Sequence, residues 1–271
     1  MAGVRAMAQA GIKAVAAAVD RVRPPAPGLV ILLYHRVGAH TAVAVDLPVA
    51  LFDEQMAWLA ARRDVVTLED GLAALDGDAA GSPVAVTFDD GTADLVDEAL
   101  PILVRHGVPA LVYLATDFVE RGRPFPDDGT PLSWAAVRDA VSTGLVALGS
   151  HTDTHRLLDR VDPAVAAAEL DRSRQLIEDR VGVAVDHFAY PKAVPATGAV
   201  EQVVRDRFRS AAVGGCRPNP FGSTNRYRLA RSALQRSDGM RYFEHKAAGG
   251  MGVEDRVRRV VNRRRYAGAV T

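Results

Sequence analysis

From Leu29 onward, short apolar runs alternate with longer stretches of helical period, and no other feature of the chain limits its fold as much. The runs Leu29 to Tyr34, Val65 to Leu68, Val84 to Phe88, Ala110 to Ala115, Leu145 to Gly149, Val185 to Ala189 and Ala211 to Gly214 are candidate strands. Between them Leu51 to Arg62, Glu69 to Leu75, Ala93 to His106, Ser133 to Val141, Pro163 to Arg180 and Ala199 to Phe208 carry helical spacing. Strands separated by helices pair in parallel, so the pattern predicts one α/β domain over residues 29–250. Asp162 before Pro163 marks a helix start, and Gly107 after His106 marks a stop.

A barrel is favoured over an open doubly wound sheet. The first strand is followed by Tyr34-His35-Arg36-Val37 rather than a Gly-x-Gly-x-x-Gly turn, and neither a phosphate loop nor a Gly-x-Ser-x-Gly elbow occurs. Nucleotide and serine-hydrolase chemistry therefore lack their usual sequence signatures.

Charge narrows the partners. With 33 Lys+Arg against 33 Asp+Glu there is no global basic field to favour nucleic acid. The single cysteine, Cys216, excludes an intrachain disulfide and an all-cysteine metal cage. Residues 1–28 form an alanine-rich segment ending in a linker with Pro24, Pro25 and Pro27, and residues 251–271 form a basic helix or tail. The longest apolar run of the first segment, Ala14 to Val19, is too short to span a membrane. We expect a helix packed on the domain, with a membrane-surface helix as the alternative because Arg5, Lys13, Arg21 and Arg23 accompany the Ala/Val positions. Arg256, Arg258, Arg259, Arg263, Arg264 and Arg265 read as a solvated face, with contact to an anionic surface as the alternative. The expected location is cytoplasmic, and membrane-peripheral if that alternative holds.

The unusual polar residues fall just after predicted strands, where a parallel barrel builds its active face. Asp89 and Asp90 follow Val84 to Phe88; His151 and His155 follow Leu145 to Gly149; Tyr190 and Pro191 follow Phe188-Ala189; His35 follows the first strand. A His-x-x-x-His spacing on a helical turn puts two imidazoles on one side, although such pairs are commonly bystanders. A carboxylate from another strand end would complete a facial set with open positions, which suits catalysis. Asp-Asp-Gly is also an ordinary turn, and Asp127-Asp128-Gly129, in a proline-rich loop with no preceding strand, reads as turn or lid.

Thr87-Phe88-Asp89-Asp90-Gly91, Gly149-Ser150-His151-Thr152-Asp153-Thr154-His155 and Phe188-Ala189-Tyr190-Pro191, in that order, resemble the motifs of the polysaccharide deacetylases, a carbohydrate esterase family. The resemblance spans roughly Leu29 to Ala233. It implies a distorted, TIM-like (β/α) barrel of about seven parallel strands and a divalent metal ion, usually Zn2+, held by Asp90, His151 and His155. It also implies Asp89 as general base and the backbone N–H of Tyr190 as an oxyanion donor. The family's arginine-bearing third motif and late Leu-x-His are missing from their places. Leu32-Leu33-Tyr34-His35-Arg36-Val37 is similar to the branch in which an early histidine supplies the acid, which makes His35 the expected acid and His187 its alternative. Arg231 is the candidate partner of Asp89, with a surface salt bridge as the other reading. Tyr190, Pro191 and Trp134 are candidate substrate contacts, Trp134 as a stacking platform or as core. The activity implied is removal of acetyl groups from N-acetylated amino sugars of an acetylated carbohydrate. An O-acetyl esterase and a catalytically silent carbohydrate-binding relative are the alternatives.

Overall fold

Runs buried on both faces are what a parallel sheet covered by helices requires, and the strands have that character. The computed structural model describes residues 2–77 and 81–266. Its strands are β1 (Val30–Tyr34), β2 (Arg36–Val37), β3 (Asp46–Leu47), β4 (Val84–Phe88), β5 (Ala110–Leu114), β6 (Val146–Ser150), β7 (His187–Ala189), β8 (Ser210–Gly214) and β9 (Leu229–Ala233). All except the small β2–β3 pair form one closed, all-parallel barrel in the order β1-β4-β5-β6-β7-β8-β9. The helices are α1 (Ala2–Val22), α2 (Val49–Arg62), α3 (Leu68–Ala74), α4 (Leu100–His106), α5 (Thr116–Arg121), α6 (Trp134–Ser142), α7 (Pro163–Val181), α8 (Gly198–Arg205), α9 (Gly239–Ala247) and α10 (Gly252–Tyr266). A seven-stranded distorted (β/α) barrel is thus the fold, as expected, but one member differs. Val65 to Leu68 is not a strand: Val65 makes a single bridge to Val84, and Thr67 caps α3 by accepting from the Asp70 N–H. Its place in the barrel is taken by β9, which closes the ring on β1 through Leu32↔Ser232 and Leu33↔Ala233.

Alternation along each strand sorts side chains into two layers. Val30, Leu32, Tyr34, Val86, Phe88 and Val112 belong to the larger core beneath the helices. Ile31, Ala85, Leu111, Tyr113, Ala189 and Ala212 form the inner layer, where Leu68, Leu72 and Leu75 of the α3 segment join them. With α3 plugging the end where strands begin, the other end is left to the loops that carry polar groups. One seam is thin: β6 and β7 share only the register pair Ser150↔Phe188.

Helices α1, α9 and α10 pack together beside the barrel, and α1 therefore docks on the domain. Ala16 and Ala17 pack with Cys216 and Met251, and buried Lys13 reaches Asp238 at 2.5 Å. Lys246 meets Asp238 at 2.8 Å and Glu254 at 3.5 Å, completing a buried set of two ammonium groups and two carboxylates. The side chains of Arg5, Arg259, Arg263, Arg264 and Arg265, which the sequence marks as basic, lie outside the described ones. Among the described residues no helix is long and apolar enough to cross a membrane.

Candidate metal centre at the mouth of the barrel

Asp89 and Asp90 leave the end of β4, His151 leaves β6, and His35 leaves β1. Chain direction alone brings these ends together, since every barrel strand points the same way. Asp90, His151 and His155 each offer a ligand atom, all within 4.8 Å of one another. Asp90 Oδ1 lies 3.6 Å from His151 Nε2 and 3.4 Å from His155 Nε2. Those gaps exceed an N–H···O hydrogen bond and match atoms sharing one ion at about 2.0–2.1 Å in a tetrahedral set, roughly 3.3 Å apart. The tautomer agrees. His151 Nδ1 stands 2.8 Å from the Ala189 carbonyl and must be its donor, which leaves Nε2 as a bare lone pair facing a carboxylate. Two acceptors facing one another call for a cation between them.

The two imidazoles meet through an irregular loop and not on the helical turn that the spacing suggests. Residues 151–157 are an irregular loop, with Thr152 at φ 63° and His155 at φ 61°. Glu169 of α7 pins this loop by accepting from the Thr154 N–H at 2.8 Å and from its hydroxyl at 2.7 Å. Asp153 accepts from the Thr116 hydroxyl at 2.7 Å. Asp90, Lys192 and Ala193 also adopt left-handed backbone, so strain gathers around the candidate ligands. Nothing in the sequence signalled Glu169, which reads as one more polar residue on a helix.

Asp89 is almost wholly buried, and Arg231 grips both of its oxygens, at 2.6 and 2.8 Å. Arg231 is fully buried and lies 5.1 Å from the Tyr113 ring centroid, inside the barrel. Burial alone would raise the Asp89 pKa, but the charges of Arg231 and His151 and the Arg231 hydrogen bonds hold it below the ordinary carboxylate value. Asp90 is likewise held well below that range: burial is outweighed by the nearby His155, His35 and His151. Burial pushes His155 down to about 3, against the pull of Asp90, which keeps the ring neutral.

His35 sits within the field of Asp90, Asp89, Arg231 and His151, and its Nδ1 is enclosed with no hydrogen-bond partner. Burial lowers its pKa from the usual histidine value, so the expected near-neutral titration is displaced to lower pH. His187 lies elsewhere. It opens β7, at the other end of the barrel, with Nδ1 2.9 Å from Ser210 Oγ and Nε2 3.3 Å from Glu69 of the plugging helix.

Three expectations are corrected. The Tyr190 N–H donates to the Ala212 carbonyl at 3.0 Å and is engaged in the sheet rather than free for an oxyanion. Its ring faces the helices, fully buried and edge-on to Phe188 at 4.9 Å, so it touches no open cleft. Trp134 starts α6, donates its indole N–H to Glu120 at 2.7 Å and packs on the outer core, which removes it as a stacking platform. Pro191, also buried, begins the short turn that turns Lys192 into left-handed backbone. The second Asp-Asp-Gly is a tight turn, bridged from Phe125 to Gly129 and held by Arg36 through the carbonyls of Pro126 and Asp127, both at 2.7 Å.

Residues 76–208, which contain Asp89, Asp90, His151, His155 and Tyr190, match the family model described as polysaccharide deacetylase. The chain carries a polysaccharide deacetylase domain. YxkH of Bacillus subtilis (strain 168), named for the same family, is 24% identical over 166 residues, covering 60% of this chain and 56% of the relative. The deacetylase domain also shares its fold with solved structures. The Streptococcus pyogenes deacetylase PplD, in complex with acetate, has a TM-score of 0.73 at 19% identity, covering 82% of this chain and 99% of that one. IcaB from Ammonifex degensii has a TM-score of 0.72 at 23% identity, covering 82% and 98%.

Proposed function

We propose that the deacetylase domain is a metal-dependent hydrolase that removes acetyl groups from N-acetylated amino sugars of a poly- or oligosaccharide or glycoconjugate. The observation that carries this reading is the bare Nε2 of His151 facing Asp90 beside a second carboxylate, Asp89, that a buried arginine keeps ionised. Asp90, His151 and His155 hold the ion, and two imidazoles with one carboxylate favour Zn2+. When bound, a divalent ion supplies Lewis acidity toward water and the acyl oxygen.

The protein's own groups do the rest. Asp89 takes a proton from the attacking water, whose oxygen bonds to the acetyl carbon. Arg231 holds Asp89 in one orientation, and each carboxylate oxygen keeps a lone pair free beyond its arginine bond. As the C–N bond breaks, His35, which takes up a proton from solvent during the reaction, delivers it to the departing nitrogen while Asp89 releases its own proton to solvent, so that acetate and a free amino sugar leave. Because burial keeps His35 neutral at rest, its proton affinity has to rise as negative charge develops beside it. A cytoplasmic address belongs to this reading on sequence grounds, and cell fractionation tests it.

Acetate release from N-acetylglucosamine oligomers, measured on metal-stripped and Zn2+-reloaded protein beside acetylated xylan, tests the proposal. Zinc-dependent release from the amino sugar supports it. Release from xylan alone would make the protein an ester hydrolase, and binding without release a silent carbohydrate binder.

A further inference from the structure

Helix α1 is inside out. Between Met7 and Asp20 its polar residues are Gln9, Lys13 and Asp20, and each turns inward: Gln9 to Gln235 at 2.8 Å, Lys13 to Asp238, Asp20 to His245 at 3.2 Å and to the Met251 N–H at 2.8 Å. Its outward face is Met7, Val15, Val19 and Val22, at 77, 56, 40 and 81% exposure, with alanines and Gly11 between them. A surface helix normally shows the reverse arrangement.

Helix α10 extends the same apolar surface. Val253 packs against the Ala16–Ala17 cluster of α1, and four, seven and eight residues further on Val257, Val260 and Val261 are 38, 58 and 55% exposed. These spacings carry one stripe along the seam with α1. Charge is sorted as strictly: Glu254 and Asp255 are buried and Asp20 is bonded inward, whereas Arg21, Arg23 and Arg256 stand exposed. Among the described residues of α1 and α10 the exposed charges are all cationic, and an apolar ridge so rimmed fits an anionic surface. The same ridge on a second copy would set arginines against arginines.

We propose that the α1–α10 ridge lies flat in the headgroup region of an anionic lipid bilayer and anchors the deacetylase domain as a peripheral membrane protein. Valines and a methionine enter the acyl boundary while the arginines meet lipid phosphates.

Flotation of the full chain with vesicles of phosphatidylcholine containing about 30% phosphatidylglycerol, against pure phosphatidylcholine, tests this. The wild type floats with the anionic vesicles, and raising salt to about 0.5 M weakens that binding. Val15→Glu with Val22→Glu, both exposed, lowers vesicle affinity roughly tenfold or more while leaving the melting temperature unchanged. Arg21→Gln with Arg23→Gln and Arg256→Gln lowers it on anionic vesicles specifically. Failure of the wild type to float, or equal flotation of the valine variant, overturns the proposal. Self-association that the valine variant abolishes, without vesicle binding, would assign the ridge to a second copy instead.

Discussion

The mouth of the barrel and the seam between α1, α9 and α10 both bury ionised side chains, and they balance them differently. In the seam Lys13 and Lys246 face Asp238 and Glu254, and Arg258 also bonds Glu254 at 3.1 Å, so each of these carboxylates has permanent cations within hydrogen-bond or ion-pair reach. At the mouth Arg231 bonds Asp89, whereas Asp90 is bonded to no permanent cation among the described residues and feels Lys192 only through its field; His155 is held neutral and His151 already donates to a carbonyl. One cluster is complete as it stands. The other leaves Asp90 without a bonded cation and with lone pairs of the imidazoles aimed at it, the imbalance a divalent ion would correct. Burial of charge therefore says little about function until the partners are counted.

The largest effect that would sharpen this contrast is at the ligands and base. His151→Ala with His155→Ala should lose bound zinc by metal analysis, and Asp89→Asn should keep zinc yet lose roughly 10^3-fold or more in kcat. Retained zinc in the first variant or retained turnover in the second would erase the distinction drawn here. Arg231→Met comes next. It strips a buried carboxylate of its partner, and removing one member of a buried pair costs about 3–5 kcal/mol, read by denaturant unfolding. With burial then unopposed by Arg231, the Asp89 pKa rises, so the acidic limb of the pH–kcat profile moves to higher pH.

Asp238→Asn should cost a comparable few kcal/mol, roughly 3, by stranding Lys13 and Lys246, but leave kcat per folded molecule unchanged. A drop in kcat there would couple the two clusters. The smallest effect concerns Glu120, whose pKa is lowered by hydrogen bonds from Arg180 and Trp134. A carboxylate with a depressed folded pKa contributes stability above its unfolded value, lost as pH falls through the folded one. Glu120→Gln should lower the melting temperature slightly at pH 7, and the gap should close below about pH 4.

Strand rhythm and the polar residues at strand ends were legible before any coordinates, because alternation and chain direction are local properties. Arg231 was legible as a partner for Asp89, but its strand was not. Leu229–Ala233 places Arg231 and Ser232 where a buried strand should be apolar, and only the carboxylate across the barrel explains the arginine. Val65 to Leu68 failed in the opposite way: an apolar run with Thr67 inside it became a helix cap. The oxyanion role given to Tyr190 depended on whether one N–H was already taken, and a sequence does not state its hydrogen-bond partners.

The thin join between β6 and β7 gives His151 a second job. Where the two strands share one register pair, its ring reaches across to the Ala189 carbonyl and supplies a rung that the backbone lacks. Candidate ligand and stitch are one side chain, so an ion seated on its far nitrogen would brace the staves of the barrel, and amide exchange along β7 should slow when the ion is added.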